Sequence, residues 1–301
     1  MSEWLRCENI TKNLGKYRIS NIDFSLEPGT VLGLIGVNGC GKTSLLRVLL
    51  GSYSIDPVRG DSGEITLSGM HFTGDVKAFR RKMAFVMQEC PFPWGMTPEE
   101  IGEVYGPYYD GFDLAAYCGR LREYGVPEGR KIENLSKGQQ IRVQLAFAES
   151  HEAVLYVMDE PVGSLDPDFR DIFYDKIRKI AATERASVIL SSHLVTELEG
   201  VADRILWMKR GECEGTVRYF GGIDELREQY RMISGEREMI EALPEDLVVG
   251  KRIRENHCEA LLRIPSGSRQ TTEGVLAQCR YADLQEIMYY QEKSEDGAVR
   301  K

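Results

Sequence analysis

The sequence lacks the segments that would place it among secreted, zinc-binding or membrane-spanning proteins. No two cysteines form a C-x-x-C pair, and the seven cysteines are spread along the chain at positions 7, 40, 90, 118, 213, 258 and 279. This spacing fits neither a disulfide framework nor a zinc site. No apolar run approaches the roughly 18–20 residues of a membrane span, and residues 1–6 do not begin a secretory signal. We therefore expect a cytoplasmic protein with reduced thiols.

Positive charge is also scarce. The chain has 38 Lys and Arg residues against 47 Asp and Glu residues, so its net charge at pH 7 is -9. Binding to the phosphate backbone of a nucleic acid needs a concentrated basic face, and we expect no nucleic-acid partner. The chain does have 301 residues, of which 42% are hydrophobic, and this suffices for one large domain or for a domain with an appendage.

Apolar patterning predicts an α/β fold. Five prolines between residues 90 and 134 limit that region to short helices. From residue 137 onward helix and strand patterns alternate, as in a parallel α/β layer. The predicted strands are 4–10, 19–26, 30–35, 63–69, 83–88, 154–158, 187–191 and 204–209, the predicted helices are 41–50, 75–82, 137–150 and 168–182, and 52–62 is a polar loop.

A glycine-rich motif is the strongest local signal. Residues 36–43 read Gly-Val-Asn-Gly-Cys-Gly-Lys-Thr, a complete G-x-x-x-x-G-K-[ST] between a strand pattern and a helix pattern. In such a loop backbone N–H groups surround a phosphate chain, the helix N-terminus and the lysine add positive charge, and the threonine ligates Mg²⁺. The alternative is a glycine-rich turn with a structural role only. The predicted phosphate-binding residues are Gly36, Asn38, Gly39, Cys40, Gly41, Lys42, Thr43 and Ser44.

Two adjacent carboxylates form the second signal. Asp159 and Glu160 directly follow the apolar run 153–158, which reads as a buried central strand. In an open parallel sheet the ligand lies beyond the carboxyl ends of the strands, so we expect these side chains beside the phosphate loop. There one carboxylate can hold Mg²⁺ and the other can polarise an attacking water. The alternative is that the pair only caps the next helix.

Together with these two signals, the segment 135–139 (Leu-Ser-Lys-Gly-Gln) resembles the signature of the ATP-binding cassette (ABC) ATPases. Gln88 resembles the glutamine of the family's Q-loop, residues 163–166 (Gly-Ser-Leu-Asp) resemble its D-loop, and His193 resembles its switch histidine. The resemblance covers about residues 3–230 and is specific, because these motifs occur in the family's order.

The resemblance implies a fold and a division into domains. The implied fold is a P-loop NTPase of ABC type, with a mainly parallel core sheet, an N-terminal antiparallel β subdomain and an α-helical subdomain at about 90–150. Residues 1–231 form the nucleotide-binding domain. The periodicity changes near residue 232, and patterns of a hairpin at 246–254 and 259–264 and of a helix at 283–291 predict a small α+β extension over 232–301. We interpret this extension as regulatory or dimer-stabilising.

The resemblance also implies cofactors and residue roles. The cofactors are ATP and Mg²⁺, and two cassettes pack head to tail so that each site takes its signature from the opposite chain. Ser136 and Gln139 also fit a capping box at the start of a helix, and both roles can hold at once. The implied catalytic residues are Glu160, His193, Lys42 and Gln88, the metal residues are Thr43, Gln88 and Asp159, and further nucleotide contacts come from Ser136, Gly138, Gln139 and Asp166.

Four positions leave alternatives open or depart from the family pattern. Tyr17 is interpreted as the aromatic side chain that stacks on adenine, although its spacing also suits a core tyrosine. Cys40, at a helix N-terminus, is either an oxidisable thiol that controls ATP binding or a small residue that merely fits. Lys137 and Gly163 replace the usual glycine of the signature and the usual serine of the D-loop. Neither carries the chemistry in the family, so we expect an active enzyme.

The expected function is that of an ATP-hydrolysing transporter subunit, of exporter type, which powers a separate transmembrane permease. Such a chain is cytoplasmic and peripheral on the inner face of the cell membrane, and its second cassette is a copy or a relative. The aromatic residues between 88 and 112 are interpreted as a groove for a permease helix or as ordinary core. The alternatives are a soluble ABC ATPase for iron–sulfur assembly or protein remodelling, and a nucleotide sensor that does not hydrolyse.

Overall fold

The structure is a computed structural model, which describes residues 4–72, 75–193, 195–254, 257–264 and 279–299. Contacts divide the chain into two compact units. The first unit comprises Met1–His193 with Val201–Phe220, and the second comprises Leu194–Gly200 with Gly221–Lys301. The domain boundary between residues 231 and 232 stays a prediction from sequence periodicity.

The first unit is built on a sheet of ten strands in the order β5-β4-β1-β2-β10-β9-β3-β8-β7-β6. Pairing is parallel among β9, β3, β8, β7 and β6 and antiparallel among β2, β1, β4 and β5. The predicted α/β class, with a parallel core and an N-terminal antiparallel part, is therefore confirmed. The strands are β1 (Leu5–Asn13), β2 (Arg18–Leu26), β3 (Val31–Ile35), β4 (Ser62–Leu67), β5 (Met70–His71), β6 (Met83–Val86), β7 (Leu155–Asp159), β8 (Ser187–Ser191), β9 (Arg204–Arg210) and β10 (Glu214–Gly222).

Three central strands, β3, β7 and β8, are buried on both faces. Every residue of β3, β7 and β8 is buried, as expected for parallel strands covered by helices. Their apolar runs made them easy to find in the sequence, and β8 has the predicted limits of 187–191. Strand β10 is missing from the sequence-based prediction because its residues are mostly half-buried and show no clear alternation.

The described residues of the first unit include six α-helices. They are α1 (Lys42–Leu49), α2 (Val76–Arg81), α3 (Pro98–Tyr105), α4 (Leu114–Glu123), α5 (Lys137–Ala148) and α6 (Pro167–Ala182). Helix α3 begins with a capping box formed by Thr97 and Glu100 and has proline in its first turn, where proline is tolerated. The prediction of short helices between residues 90 and 134 is confirmed by α3 and α4, and α5 follows them as predicted.

The second unit contains a separate antiparallel sheet in the order β12-β13-β11-β14. The predicted hairpin is confirmed as β12 paired with β13, and the predicted helix begins at Leu284 but runs on to Val299. Its apolar cluster includes Ile233, Ile240 and Leu262, each at most 1% exposed. The elements are α7 (Val195–Leu198), α8 (Ile223–Glu228), β11 (Tyr230–Gly235), α9 (Arg237–Glu241), β12 (Val248–Arg254), β13 (His257–Arg263), β14 (Arg280–Tyr281) and α10 (Leu284–Val299).

Candidate functional site

The glycine-rich loop joins the end of β3 to α1 by a backbone path that only glycine permits. At Gly36 φ is +145°, and a Cβ there would lie 2.3 Å from the carbonyl oxygen of Met208. At Gly41 φ is +108°, and a Cβ would lie 2.3 Å from Cγ2 of Ile19. No side chain caps the N-terminus of α1, so its first N–H groups can bind an anion.

Lys42 lies over this loop. Its ammonium donates to the carbonyl oxygen of Gly36 at 2.7 Å, and the residue is only 6% exposed. Thr43 and Ser44 follow it in the first turn of α1. Asn38 and Gly39 lie on the exposed side, where Arg210 approaches to 3.5 Å from the Asn38 oxygen. The loop thus has a buried positive charge at its centre and a second cation at its rim.

Cys40 is completely buried within the same loop. A Cβ at Gly36 would lie 2.8 Å from its sulfur. A thiol without exposed surface is shielded from reagents, so the packing supports the interpretation of Cys40 as a small residue that fits.

The carboxylates at the end of β7 are held by the neighbouring strand β8. Ser191 Oγ donates to Asp159 Oδ1 at 2.6 Å and accepts the N–H of Glu160 at 3.0 Å. Asp159 is 4% exposed, and Glu160 takes the left-handed conformation with φ of +46°. Positive φ at a non-glycine residue costs energy and occurs preferentially at functional sites. Ser191 was missed by the sequence reasoning, although its position at the end of a buried strand was a usable signal.

His193 follows β8 and lies beside the same carboxylates. Its Nδ1 is 3.4 Å from Oε2 of Glu160, and its side chain is half exposed. A Cβ at Gly163 would lie 3.7 Å from its ring, so the segment after β7 also borders the histidine. Parallel pairing of β7 with β8 therefore brings Glu160 and His193 together, although they are 33 positions apart in sequence.

A cavity of about 490 Å³ is lined by all three of the predicted metal residues. Thr43, Gln88 and Asp159 line it, along with Arg47 and Arg80. Hydroxyl, amide and carboxylate oxygens suit Mg²⁺, which retains water ligands and needs few from the protein. Among the described residues no cluster of three or more His, Cys, Asp and Glu side chains could hold a metal ion. Thr43, Gln88 and Asp159 fit the predicted ion.

Tyr17 lies next to the glycine-rich loop. A Cβ placed at Gly215 would lie 2.0 Å from the carbonyl oxygen of Cys40 in the loop and 2.8 Å from the hydroxyl of Tyr17. Gly215 thus lies between Tyr17 and the loop. This hydroxyl is buried without a hydrogen-bond partner in the described part of the chain, and burial raises the pKa of Tyr17. An open cleft of about 460 Å³ passes Tyr17 and Arg18. The location is compatible with stacking on a base, and the core alternative stays open.

The start of α5 has the predicted capping box. Ser136 Oγ accepts the N–H of Gln139 at 3.2 Å, and Gln139 Oε1 accepts the N–H of Ser136 at 2.9 Å. Gly138 lies against the D-loop, because a Cβ at this position would be 2.6 Å from the carbonyl oxygen of Ser164. Lys137, which replaces the usual glycine of the signature, is exposed, so its side chain disturbs no packed neighbour.

The end of the D-loop is fixed by Asp166. Its Oδ1 caps α6 by accepting the N–H of Phe169 at 3.0 Å, and its other oxygen pairs with Arg142 of α5. The backbone hydrogen bond, followed by the charge of Arg142, lowers the pKa of the Asp166 carboxyl. The guanidinium of Arg142 also lies 4.3 Å from the ring centre of Phe169. The signature helix and the D-loop thus form one connected segment.

Gln144 of α5 is a second residue that the sequence reasoning missed. Its amide donates to the carbonyl of Met87 at 3.0 Å and accepts the N–H of Met87 at 2.8 Å. Gln144 is 1% exposed, so this pair of bonds forms away from water. It holds the backbone just before Gln88 to the signature helix. The sequence did contain a signal for Gln144, since this polar residue lies on the buried face of the predicted helix 137–150.

The aromatic residues between 88 and 112 separate into two groups. Phe92 and Phe112 pack on Phe147 with ring centres 5.2 and 5.0 Å away, as core residues do. Trp94 and Tyr108 are 59% and 65% exposed. The core interpretation holds for the first pair, whereas the second pair presents aromatic surface to its surroundings.

Comparison with known proteins places these motifs in a family. The family described as ABC transporter matches residues 19–163. The Linearmycin resistance ATP-binding protein LnrL of Bacillus subtilis is 32% identical over 216 residues, which cover 69% of this chain and 67% of that protein. The Nod factor export ATP-binding protein I of Rhizobium leguminosarum is 29% identical over 202 residues, covering 65% of this chain. The alignment spans 63% of the length of that relative.

Solved structures share the fold. A dimeric structure of the ATP-binding cassette MJ0796, in a post-hydrolysis state bound to ADP and Pi, superposes with a TM-score of 0.62. The match is 21% identical in sequence and covers 72% of this chain and 98% of that one. Within the described residues, no helix is both long and apolar enough to cross a membrane.

Proposed function

The chain belongs to the family of ABC transporter ATP-binding proteins, and we propose that it is the ATP-hydrolysing subunit of an exporter whose membrane-spanning subunit is a separate chain. The observation that carries this proposal is the convergence of Asp159, Glu160 and His193 at the strand ends next to the glycine-rich loop. A nucleotide sensor without hydrolysis has no need for a strained carboxylate beside a histidine.

In this mechanism the protein groups act on a phosphate chain bound at the N-terminus of α1. Lys42 and the backbone N–H groups neutralise its charge. Glu160 accepts a proton at its carboxylate oxygen as water attacks the γ-phosphorus, and the bond to the leaving ADP oxygen breaks. His193 holds the γ-phosphate in position, and Gln88 places the water. Tyr17 stacks on the base.

Mg²⁺ neutralises the developing phosphate charge when it is bound. Thr43, Gln88 and Asp159 would hold it, since all three line one cavity. Ser191 orients Asp159 through its 2.6 Å hydrogen bond, which holds the carboxylate in a single rotamer. This arrangement supports Mg-ATP as the cofactor.

A second cassette completes each site in this proposal. The exposed Ser136 and the N-terminus of α5 can present N–H groups and a partial positive charge to an anion. In a head-to-tail dimer they contact the γ-phosphate held by the opposite chain, together with Gly138, Gln139 and Asp166. Hydrolysis then depends on assembly. The dimeric state of the MJ0796 cassette supports this arrangement.

The permease partner is supported by the surface around Gln88. The 490 Å³ cavity has Gln88, Met87 and Tyr109 on its walls, and Trp94 nearby in sequence is exposed. Exposed aromatic side chains such as Trp94 and Tyr108 suit the apolar face of an amphipathic helix of a partner. Through such a contact the chain would lie on the inner face of the membrane. The names of its relatives, which mention Nod factor export and linearmycin resistance, favour export.

A copurification experiment tests the proposal. Tagged Glu160→Gln chain with Mg-ATP is used to capture partners from detergent-solubilised native membranes, and mass spectrometry identifies them. We expect a polytopic membrane protein in stoichiometric amount with this chain, and a reduced amount with a Trp94→Ala variant. Recovery of soluble proteins only would reject the transporter and favour a cytosolic ABC ATPase for iron–sulfur assembly or protein remodelling.

A further inference from the structure

Arg142 joins helix α5 to two neighbouring helices and to the D-loop through one guanidinium group. Its Nη2 pairs with the carboxylate of Asp166 at the end of the D-loop. Its Nη1 donates to the carbonyl oxygen of Tyr124, which ends α4, at 2.8 Å. The central guanidinium carbon lies 4.3 Å from the ring centre of Phe169 in the first turn of α6. Because the guanidinium is planar, bonds at its two ends fix the direction of each partner.

The carboxylate of Asp166 is held on both sides. One oxygen caps α6 and the other pairs with Arg142, so this carboxylate cannot turn freely. The D-loop residues Gly163 and Ser164, which precede it, are exposed. The carbonyl oxygen of Ser164 faces the start of α5, 2.6 Å from a Cβ placed at Gly138. Arg142 therefore lies where it can fix the exposed part of the D-loop relative to the signature.

The ion pair of Arg142 contributes to geometry more than to stability. The side chains of Arg142 and Asp166 are 20% and 52% exposed, and ion pairs with this much solvent contact contribute little to the free energy of unfolding. Among the described residues, no hydrogen bond or ion pair joins Arg142 to the glycine-rich loop of its own chain. Its contacts instead support the exposed surface that Ser136 and the D-loop form.

We infer that Arg142 is a positioning residue for the D-loop, and that it serves the nucleotide site of the opposite chain, not the site of its own chain. The inference rests on the proposed function, in which Ser136 and Asp166 help to complete the site of a second cassette. With Arg142 in place, the signature and the D-loop meet that nucleotide as one rigid surface. Without it, the D-loop shifts against the signature and turnover at the opposite site falls. The glycine-rich loop of the same chain keeps its affinity for ATP.

Mixtures of two inactive chains test the inference, because each mixed pair has a single complete site. The Lys42→Ala chain keeps its signature and D-loop, and the Ser136→Arg chain keeps its glycine-rich loop, so phosphate release arises on the second chain with groups from the first. Arg142→Met in the Lys42→Ala chain should lower kcat of the mixture by about 10-fold to 100-fold, because a small misplacement of a contacting group has an effect of this size. In the Ser136→Arg chain it should lower kcat at most about twofold. An equal loss in both arrangements, or no loss in the first, overturns the inference.

Two further variants of the Lys42→Ala chain separate positioning from general destabilisation. Arg142→Lys should regain part of kcat, since an ammonium can pair with Asp166 but cannot reproduce the two directed bonds of the guanidinium. Arg178→Met is the matched control. It removes an exposed ion pair between α6 and Asp175 of the same helix, and the mixture should keep its turnover. A loss with Arg178→Met as large as the loss with Arg142→Met contradicts the inference.

Hydrogen exchange of the full chain gives an answer that does not depend on hydrolysis. The N–H groups of Phe169 and Arg170 are hydrogen-bonded to the side chain and the backbone of Asp166. Arg142→Met should speed exchange at these two groups and leave exchange within 36–44 unchanged. Unchanged exchange at both groups contradicts the inference, whereas mixtures that release no phosphate in any arrangement contradict only the proposed function.

Discussion

The strand ends of the first unit and helix α9 of the second unit hold their polar side chains in opposite ways. At the strand ends Asp159 is 4% exposed and Glu160 has an unfavourable backbone conformation. On helix α9 the side chains of Arg237 and Glu241 pair at 2.7 Å while 70% and 46% exposed. Exposed pairs contribute at most about 1 kcal/mol each.

The difference shows which region is built for chemistry. Burial of a carboxylate and strain at its neighbour lower stability, so a site that retains both has a use for them. The second unit has no such pair of a buried carboxylate and a strained neighbour among its described residues, and an exposed ion pair such as Arg237–Glu241 can be exchanged at small cost. Equivalent substitutions in the two units should therefore have very different consequences.

The largest contrast is expected from one substitution of the same kind in each unit. Glu160→Gln should lower turnover by about 100-fold to 10,000-fold, because a general base is lost. Glu241→Gln removes only an exposed ion pair and should leave turnover unchanged. Phosphate release by both variants is the measurement. Normal turnover of the Glu160 variant would remove this residue from the role of base.

Glutamine offers a second matched pair, with stability as the readout. Gln144→Leu leaves the N–H and the carbonyl of Met87 without partners and should lower the free energy of unfolding by about 2–4 kcal/mol. Gln229→Leu removes one exposed bond to Glu225 and should change it by less than about 0.5 kcal/mol. Urea unfolding measures both. Equal effects would mean that burial does not distinguish the two units.

Acid sensitivity should also reside in the first unit. His151 is 7% exposed, and its Nδ1 and Nε2 lie 3.1 and 3.2 Å from the carbonyl oxygens of Phe147 and Met83. Burial lowers the pKa of its imidazole below the usual 6.5, so the unfolded chain binds the proton first. Stability then falls as the pH drops below about 6.5, by up to about 1.4 kcal/mol per pH unit.

A His151→Asn variant checks this pH dependence. It should flatten the decline in unfolding free energy between about pH 6.5 and the lower pKa of the folded state. His71→Asn, which alters an exposed histidine paired with Glu64, should keep the decline of the unmodified chain. A slope that survives in the His151 variant would assign the acid sensitivity to other groups.

The smallest effect concerns glycine, which only some positions require. Gly119 lies within α4, has no positive φ, and a Cβ there would meet nothing within 4 Å. Gly119→Ala should raise the unfolding free energy by about 0.5–1 kcal/mol, because glycine is a poor helix residue. Thermal unfolding with unchanged turnover is the expected result. A loss of stability would show that helix α4 requires glycine at this position.

The sequence predicts the first unit better than the second for a physical reason. The glycine-rich loop, the carboxylate pair and the capping box of Ser136 are local, and each is specified by adjacent residues. Ser191 and Gln144 act on Asp159 and Met87 across 32 and 57 positions, so only the pairing of strands and the packing of α5 bring them into place.

In the second unit the local signals are weak. The hairpin β12–β13 alternates well enough to be found, but β11 and α9 are short and give little periodicity. The predicted end of helix α10 lies too early in the sequence. The last residues of the helix are mostly polar and lack the apolar repeat on which the prediction depends. The assignment of residues 194–200 to this unit has no local signal, since it depends on contacts with α10.

The most direct test of the central claim is phosphate release from Mg-ATP by the purified chain over a wide range of protein concentration. Two cassettes form each site in this account, so turnover per chain should rise with concentration and then saturate. An equimolar mixture of Lys42→Ala and Ser136→Arg chains should regain part of the activity that each lacks alone. Turnover that is absent at every concentration, or constant per chain throughout, would contradict an ATPase assembled from two cassettes.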